Sequence, residues 1–154
     1  MLLSSLELDG RTIWLGIMVL CSILLIITDV LWFWLPQQLI FVTALVNGWA
    51  LYAGYSEPYW PVTMSIVLAF GLLWLRYPQG LGSGDVTLLA ALALGCDGWN
   101  LYILIVAAFG SAGLVGLGAW AFSDKKMLPF GPFLLFGWWF ALGWGKECLR
   151  WLGW

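Results

Sequence analysis

Two acidic residues stand out against an apolar background. Asp29 lies among Ile26, Ile27, Val30 and Leu31, and Asp85 closes the run Gly82-Ser83-Gly84-Asp85. An ionisable group at membrane depth costs roughly 3 kcal/mol or more, and by default it points to function. Two carboxylates held close in a low-dielectric site cannot easily both ionise, so such a pair shares one proton. That state can split a peptide bond: the carboxylate takes a proton from water while the carboxylic acid polarises the scissile carbonyl. Gly82 and Gly84 have no side chains. They would let an extended substrate backbone approach Asp85 and would permit unusual φ/ψ. Each feature also has a plainer reading. Asp29 could be a polar residue hydrogen-bonded to another helix, Asp85 an N-cap, and the glycines a turn. Two acids at one depth on one side favour chemistry over either plain reading taken singly.

The surroundings of these acids are set by composition. Of 154 residues, 63% are hydrophobic and 9% charged, and mean hydropathy is +0.96. A soluble domain carries about 25% charged residues, so the solvent of this chain is largely membrane lipid. Six Lys and Arg against eight Asp and Glu give a net charge of −2, which leaves no basic stripe for nucleic acid. The chain has no His, which excludes Ser-His-Asp and Cys-His catalysis and any His-bound metal. Cys21, Cys96 and Cys148 stand far apart without a C-x-x-C pair and read as small packing residues. No metal and no cofactor are expected. Glu7 and Asp9 precede Arg11 where a signal peptide carries a basic region, so the first apolar run reads as an uncleaved membrane helix.

The elements that must position the acids are helices. A spanning helix needs about 20 mostly apolar residues. The pattern predicts an all-α polytopic membrane protein of about six transmembrane helices: 12–34, 38–53, 59–75, 85–95, 99–122 and one from near Pro132 into the Trp-rich tail. Residues 1–154 read as a single membrane-embedded domain. Helix 4 is short. About a dozen residues reach roughly 18 Å against a hydrocarbon core of about 30 Å. The glycine-rich segment 77–84 must then dip into the membrane, where irregular backbone survives only against protein or water. Asp29 would lie roughly 9 Å inside helix 1 from the Leu35-Pro36 end, level with Asp85. Arg76, Lys125 and Lys126 mark the end carrying both acids as cytoplasmic by the positive-inside rule. The loops around Glu57 and Asp97, and both termini, fall on the other side. Trp34, Trp74, Trp99 and Trp144 suit interfacial anchoring. Ala90, Ala91 and Ala93 on helix 4, and Gly110, Ser111, Gly113 and Gly116 on helix 5, read as sites of close helix approach.

The run Gly82-Ser83-Gly84-Asp85 resembles the G-x-G-D signature of the type IV prepilin peptidases, within the wider G-x-G-D class of intramembrane aspartyl proteases. Two further features strengthen the resemblance. An upstream helical acid is followed by Leu-Pro, from Asp29 to Leu35-Pro36. The segment Pro129-Phe130-Gly131-Pro132 is similar to the late P-F-G-P motif of the family. Order and spacing agree across nearly the whole chain.

The resemblance implies that Asp29 and Asp85 are the catalytic pair. Gly82, Gly84, Pro129, Phe130, Gly131 and Pro132 would shape the substrate channel. The implied activity is removal of a short basic leader from type IV prepilins or related pseudopilins, of the kind used in type IV pili and type II secretion. Cleavage would follow a Gly and precede a usually aromatic new N-terminus, at the cytoplasmic face of a bacterial inner membrane. The partners would be the prepilin or pseudopilin N-terminal segment and membrane lipid. The family usually has Lys where this chain has Thr87, and often Asp where it has Gln37. Many members also carry an N-terminal region with paired C-x-x-C motifs linked to N-methylation. The chain reads as the minimal peptidase core, without methyltransferase activity. The alternatives are a channel or proton-relay subunit, or a degenerate relative that only binds pilin-like helices. A relay would place polar groups along the full depth of the bundle, whereas the half of every helix remote from the acids is nearly free of ionisable groups.

Overall fold

The computed structural model describes residues 9–77, 82–122, 129–151 and 153. Among the described residues six helices follow one another: α1 (Gly10–Trp32), α2 (Gln37–Tyr52), α3 (Trp60–Arg76), α4 (Ser83–Ala93), α5 (Asn100–Phe122) and α6 (Gly131–Trp151). Among the described residues no strand forms, and an isolated bridge joins Pro58 to Gly98. The all-α expectation holds, with helix boundaries within two residues of those expected. Four of the dipping-loop residues, 78–81, lie outside the described residues. So do Glu7, Ser123 to Lys126 and Leu128.

Proline and local hydrogen bonding set the helix ends. Leu35 precedes Pro36, whose ring pushes its neighbour out of helical geometry. The turn begins sooner than the Leu-Pro pair suggests. Phe33 adopts a left-handed conformation at φ 51° and donates its N–H to the Asp29 carbonyl, so α1 stops at Trp32. Asp29 therefore lies in the last turn of α1, roughly 4–5 Å from its end, not 9 Å inside it. The Pro36 carbonyl then accepts the N–H groups of Leu39 and Ile40 and starts α2. Pro61 sits in the first turn of α3, where its missing N–H costs nothing.

The interior face of α1 is a stripe of Trp14, Met18, Cys21, Ser22, Leu25 and Asp29, at helical spacing. The opposite faces of the bundle are apolar and open. Leu20, Leu31, Phe41, Leu68, Val106 and Leu114 are all exposed. An exterior of this kind in water would be one large apolar patch. It fits lipid. By length and hydropathy, Gly10–Trp32 and Asn100–Gly118 can each cross a membrane, while α3 and α4 are apolar but shorter.

Loop contacts fix which helix ends lie together. The Glu57 N–H donates to Asp97 Oδ1 at 2.9 Å, and the Gly98 N–H donates to the Glu57 carbonyl at 2.8 Å. The α2–α3 and α4–α5 connections therefore share one end, as expected for the Glu57 and Asp97 loops. The end of α1 and the starts of α2 and α4 meet at the other end, around one cleft.

Helix α4 has 11 residues, about 17 Å of rise, and it is the most enclosed element. Leu88, Leu89, Leu92 and Ala93 are fully buried. The last four carbonyls of a helix have no partner within it. Here Asn47 Nδ2 donates to the Ala91 carbonyl at 2.9 Å and Trp138 Nε1 to the Leu92 carbonyl at 3.0 Å. One residue beyond the helix, Ser56 Oγ donates to the Leu94 carbonyl at 2.9 Å.

The small residues behave differently from expectation on α5. A Cβ added at Gly110, Gly113 or Gly116 would meet nothing within 4 Å. The close approach of α5 and α6 runs instead through Gly137 of α6, whose Cβ would strike the Leu104 carbonyl and Ala108. Ser111 spends its hydroxyl on the Ala107 and Ala108 carbonyls. On α4, Ala91 and Ala93 are buried as expected.

Candidate active site

Asp29 is 6% exposed, so its carboxylate must find partners in the protein. Its Oδ2 accepts the backbone N–H of Gly131 at 2.9 Å. Gly131 opens α6, where N–H groups are orphaned and the helix dipole favours negative charge. The acid thus ties the last turn of α1 to the first turn of α6. The glycine is required for this contact. A Cβ at Gly131 would stand 2.6 Å from Asp29 Oδ2 and 3.2 Å from Leu35 Cδ2.

Asp85 is half-buried and lies in the first turn of α4. Helix α4 starts two residues earlier than expected, at Ser83, with Gly82 as its cap. Asp85 is therefore the third residue of the helix and not the N-cap. Its carboxylate turns back to accept a hydrogen bond from the Gly82 backbone, the acid half of a capping box. Negative charge is again favoured at this helix end.

Asp29 and Asp85 line one cleft of about 220 Å³ together with Phe33, Trp34, Leu35, Gln37, Gly82, Ser83 and Gly84. The cleft has room for water. Two acids facing one small polar space, each held by a backbone N–H, can serve as proton acceptor and proton donor to a molecule between them.

The glycines of the signature act by close packing. Neither needs a left-handed backbone: Gly82 is extended, with φ −68° and ψ 141°, and Gly84 sits within α4 without positive φ. A Cβ at Gly84 would lie 3.1 Å from Leu35 Cβ, and one at Gly82 would lie 3.0 Å from Asp85 Oδ2. The expectation of unusual φ/ψ gives way to steric access: side chains here would crowd Leu35 and the acid.

Of the late motif, Gly131 touches Asp29, whereas Pro129, Phe130 and Pro132 lie outside the lining of the cleft. The Phe130 carbonyl accepts the N–H groups of Phe133 and Leu134, and its ring packs on Phe109 at 5.0 Å between centroids. These contacts hold the start of α6 where Gly131 can reach the acid. Gln37 borders the cleft. Both Gln37 and Thr87 border a larger apolar space of about 800 Å³ between α2, α3 and α4. The Thr87 hydroxyl is engaged with the Ser83 and Gly84 carbonyls, both at 3.0 Å.

Some contributors escaped the sequence reading. Phe33, Trp34, Leu35 and Ser83 form cleft walls, and apolar or small residues carry no chemical signal. Asn47 is fully buried and does carry one. A lone amide in an apolar helix deserves the same scrutiny as a lone acid. Among the described residues no three His, Cys, Asp or Glu side chains gather to hold a metal.

The type IV leader peptidase family matches residues 16–118. Several relatives named prepilin leader peptidase/N-methyltransferase are similar to the chain. That of Stutzerimonas stutzeri is 29% identical over 121 residues, covering 73% of this chain and 42% of the relative. That of Aeromonas hydrophila is 39% identical over 95 residues, covering 58% and 31%. That of Burkholderia pseudomallei is 34% identical over 110 residues, covering 67% and 36%. The chain thus spans less than half the length of each relative. No solved structure matches it.

Proposed function

The chain belongs to the type IV leader peptidase family, and on that premise we propose that it is an intramembrane aspartic endopeptidase. Its substrates are type IV prepilins or related pseudopilins, from which it removes the short basic leader. The observation that carries the reading is the single cleft shared by Asp29 and Asp85. The matched region of the family contains both acids.

In the proposed reaction a water molecule lies between the two carboxyl groups, which hold one proton between them. The ionised acid accepts a proton from the water, whose oxygen bonds to the scissile carbonyl carbon. The protonated acid donates its proton to the carbonyl oxygen. In the collapse of the tetrahedral intermediate that oxygen returns its proton, the C–N bond breaks, and the departing nitrogen takes up a proton from the other acid. The pair ends as it began. Gly82 and Gly84 leave space for an extended substrate backbone, and Gly131 holds Asp29 in place. Pro129, Phe130 and Pro132 contribute by fixing the start of α6.

The whole of 1–154 acts as one membrane-embedded unit with six spans. It lies in a bacterial inner membrane, with the acid end and Arg76 toward the cytoplasm and the termini on the other side. On this reading the 11-residue α4 is too short to cross the membrane, which favours a cleft below the membrane surface. The test is to incubate purified protein with candidate prepilins and to measure the products by mass spectrometry. The expected product is cut after a Gly at the leader junction. Intact substrate across a panel of prepilins and pseudopilins would refute the assignment.

A further inference from the structure

Helix α4 carries Asp85 at one end and is held by polar contacts at the other. Asn47, from α2, is buried completely and makes two hydrogen bonds. Its Oδ1 accepts Trp14 Nε1 of α1 at 3.0 Å, and its Nδ2 donates to the Ala91 carbonyl of α4 at 2.9 Å. Trp138 of α6 donates to the next carbonyl, Leu92. Trp14 and Trp138 meet edge to face at 6.0 Å, so α1, α2 and α6 form one collar around the last turn of α4. The space is tight. A Cβ at Gly95 would stand 2.6 Å from Asn47 Oδ1 and 3.0 Å from Trp138 Cζ2.

Interdigitated side chains resist axial sliding of a short helix, but apolar contacts are not directional and do not single out one register. Hydrogen bonds to specific carbonyls are directional and do single one out. In a low-dielectric interior, an unpaired carbonyl and an unpaired amide both carry the full desolvation penalty, so the arrangement has one satisfied register. Ala91 lies six residues after Asp85, about 9 Å along the helix. A rigid helix transmits that register to its other end.

We propose that Asn47 is a positioning residue: by holding the Ala91 carbonyl it fixes the axial placement of α4 and so the placement of Asp85 opposite Asp29. The inference rests on the peptidase reading only for its catalytic consequence; the placement itself is a geometric statement. A misplacement of about 1 Å in a catalytic group costs on the order of 10²-fold in rate.

The test has two arms. In the first, Phe33→Cys and Ser83→Cys are combined with Cys21→Ala, Cys96→Ala and Cys148→Ser. Both positions border the acid cleft and are exposed. The full chain is treated with thiol cross-linkers of graded length, and the shortest that bridges the pair is recorded. Asn47→Leu keeps the volume but removes the bond to α4. It should change the bridging length or spread it over several linkers. Trp138→Phe should act in the same direction. Trp14→Phe removes the other bond of Asn47 and leaves its hold on Ala91, so it should shift the bridging length less than Asn47→Leu does. An unchanged bridging length in Asn47→Leu, or equal changes in Trp14→Phe and Asn47→Leu, would overturn the proposal. In the second arm, performed on the native-cysteine chain, kcat for leader cleavage is followed against pH. Asn47→Leu should lower kcat by roughly tenfold or more with KM nearly constant, and should alter the shape of the pH profile. Simple loss of folded protein would scale the profile without reshaping it. A profile of unchanged shape beside a changed cross-link would likewise overturn the link to Asp85. If the parent chain cleaves nothing, the peptidase reading fails, and the cross-linking arm alone decides whether Asn47 sets the placement of α4.

Discussion

Asp29 has two duties, and they separate by substitution. Its Oδ2 accepts the Gly131 N–H, a bond that an Asn side-chain oxygen can also accept. Asp29→Asn should therefore fold while losing cleavage by a factor of about 10² to 10⁴, because an amide neither accepts nor donates the required proton. Asp29→Ala should lose cleavage too and be less stable than Asp29→Asn by about 1 kcal/mol, the worth of the bond to Gly131. Thermal unfolding in detergent alongside a cleavage assay separates the two duties, and equal stability of the Asn and Ala variants would show that the bond to α6 contributes nothing. Asp97 serves as a contrast. Its Oδ1 accepts the Glu57 N–H at the remote end, so Asp97→Asn should keep both fold and cleavage. Thr87 borders the larger apolar space with its hydroxyl turned back on α4. Thr87→Ala should change kcat by no more than about twofold, measured on the same substrate.

Helix ends, more than helix middles, build this site. The end of α1 supplies Asp29, the start of α4 supplies Asp85, and the start of α6 supplies the N–H that holds Asp29. Gly84 lets α4 pack against Leu35. Gly84→Val would force these elements apart at the cleft and should abolish cleavage, whereas Gly118→Val faces open space and should leave cleavage intact. Rates and detergent-stable folding of the two variants are the measurement, and wild-type turnover in Gly84→Val would remove the packing argument. These helices were legible because apolar length and proline punctuation are local properties. The two acids were legible because charge amid Ile, Val and Leu needs a reason. What each glycine approaches was not legible. Gly84 meets Leu35, which is 49 residues away in the chain, and Gly137 approaches α5 although Gly110, Gly113 and Gly116 look equally suited. Small residues announce only that something can come near. Asn47 carried a visible signal, but its partners Trp14 and Ala91 depend on the rotation of three helices about their axes. No periodicity in an apolar helix reveals that rotation when lipid and core are equally apolar.

At the scale of the molecule, polarity is turned inward and to the ends. Asp29, Thr43, Asn47 and Asn100 are buried while Leu20, Phe41, Leu68 and Leu114 face outward. The Glu57 and Asp97 loops are bonded to each other, so a membrane-impermeant thiol reagent should reach Glu57→Cys and Asp97→Cys from the same face. The proposed orientation makes that the non-cytoplasmic face, and labelling of either from the cytoplasmic side would reverse it. On that orientation Arg76, at the end of α3, lies toward the cytoplasm. The central claim concerns the two acids together, and the most direct measurement is the single-turnover cleavage of one prepilin by the parent chain, Asp29→Asn and Asp85→Asn, each reconstituted in vesicles at equal folded concentration. The account predicts a leader-free product from the parent and a rate at least about 10²-fold lower from each variant. Parent-like turnover in either variant would contradict it.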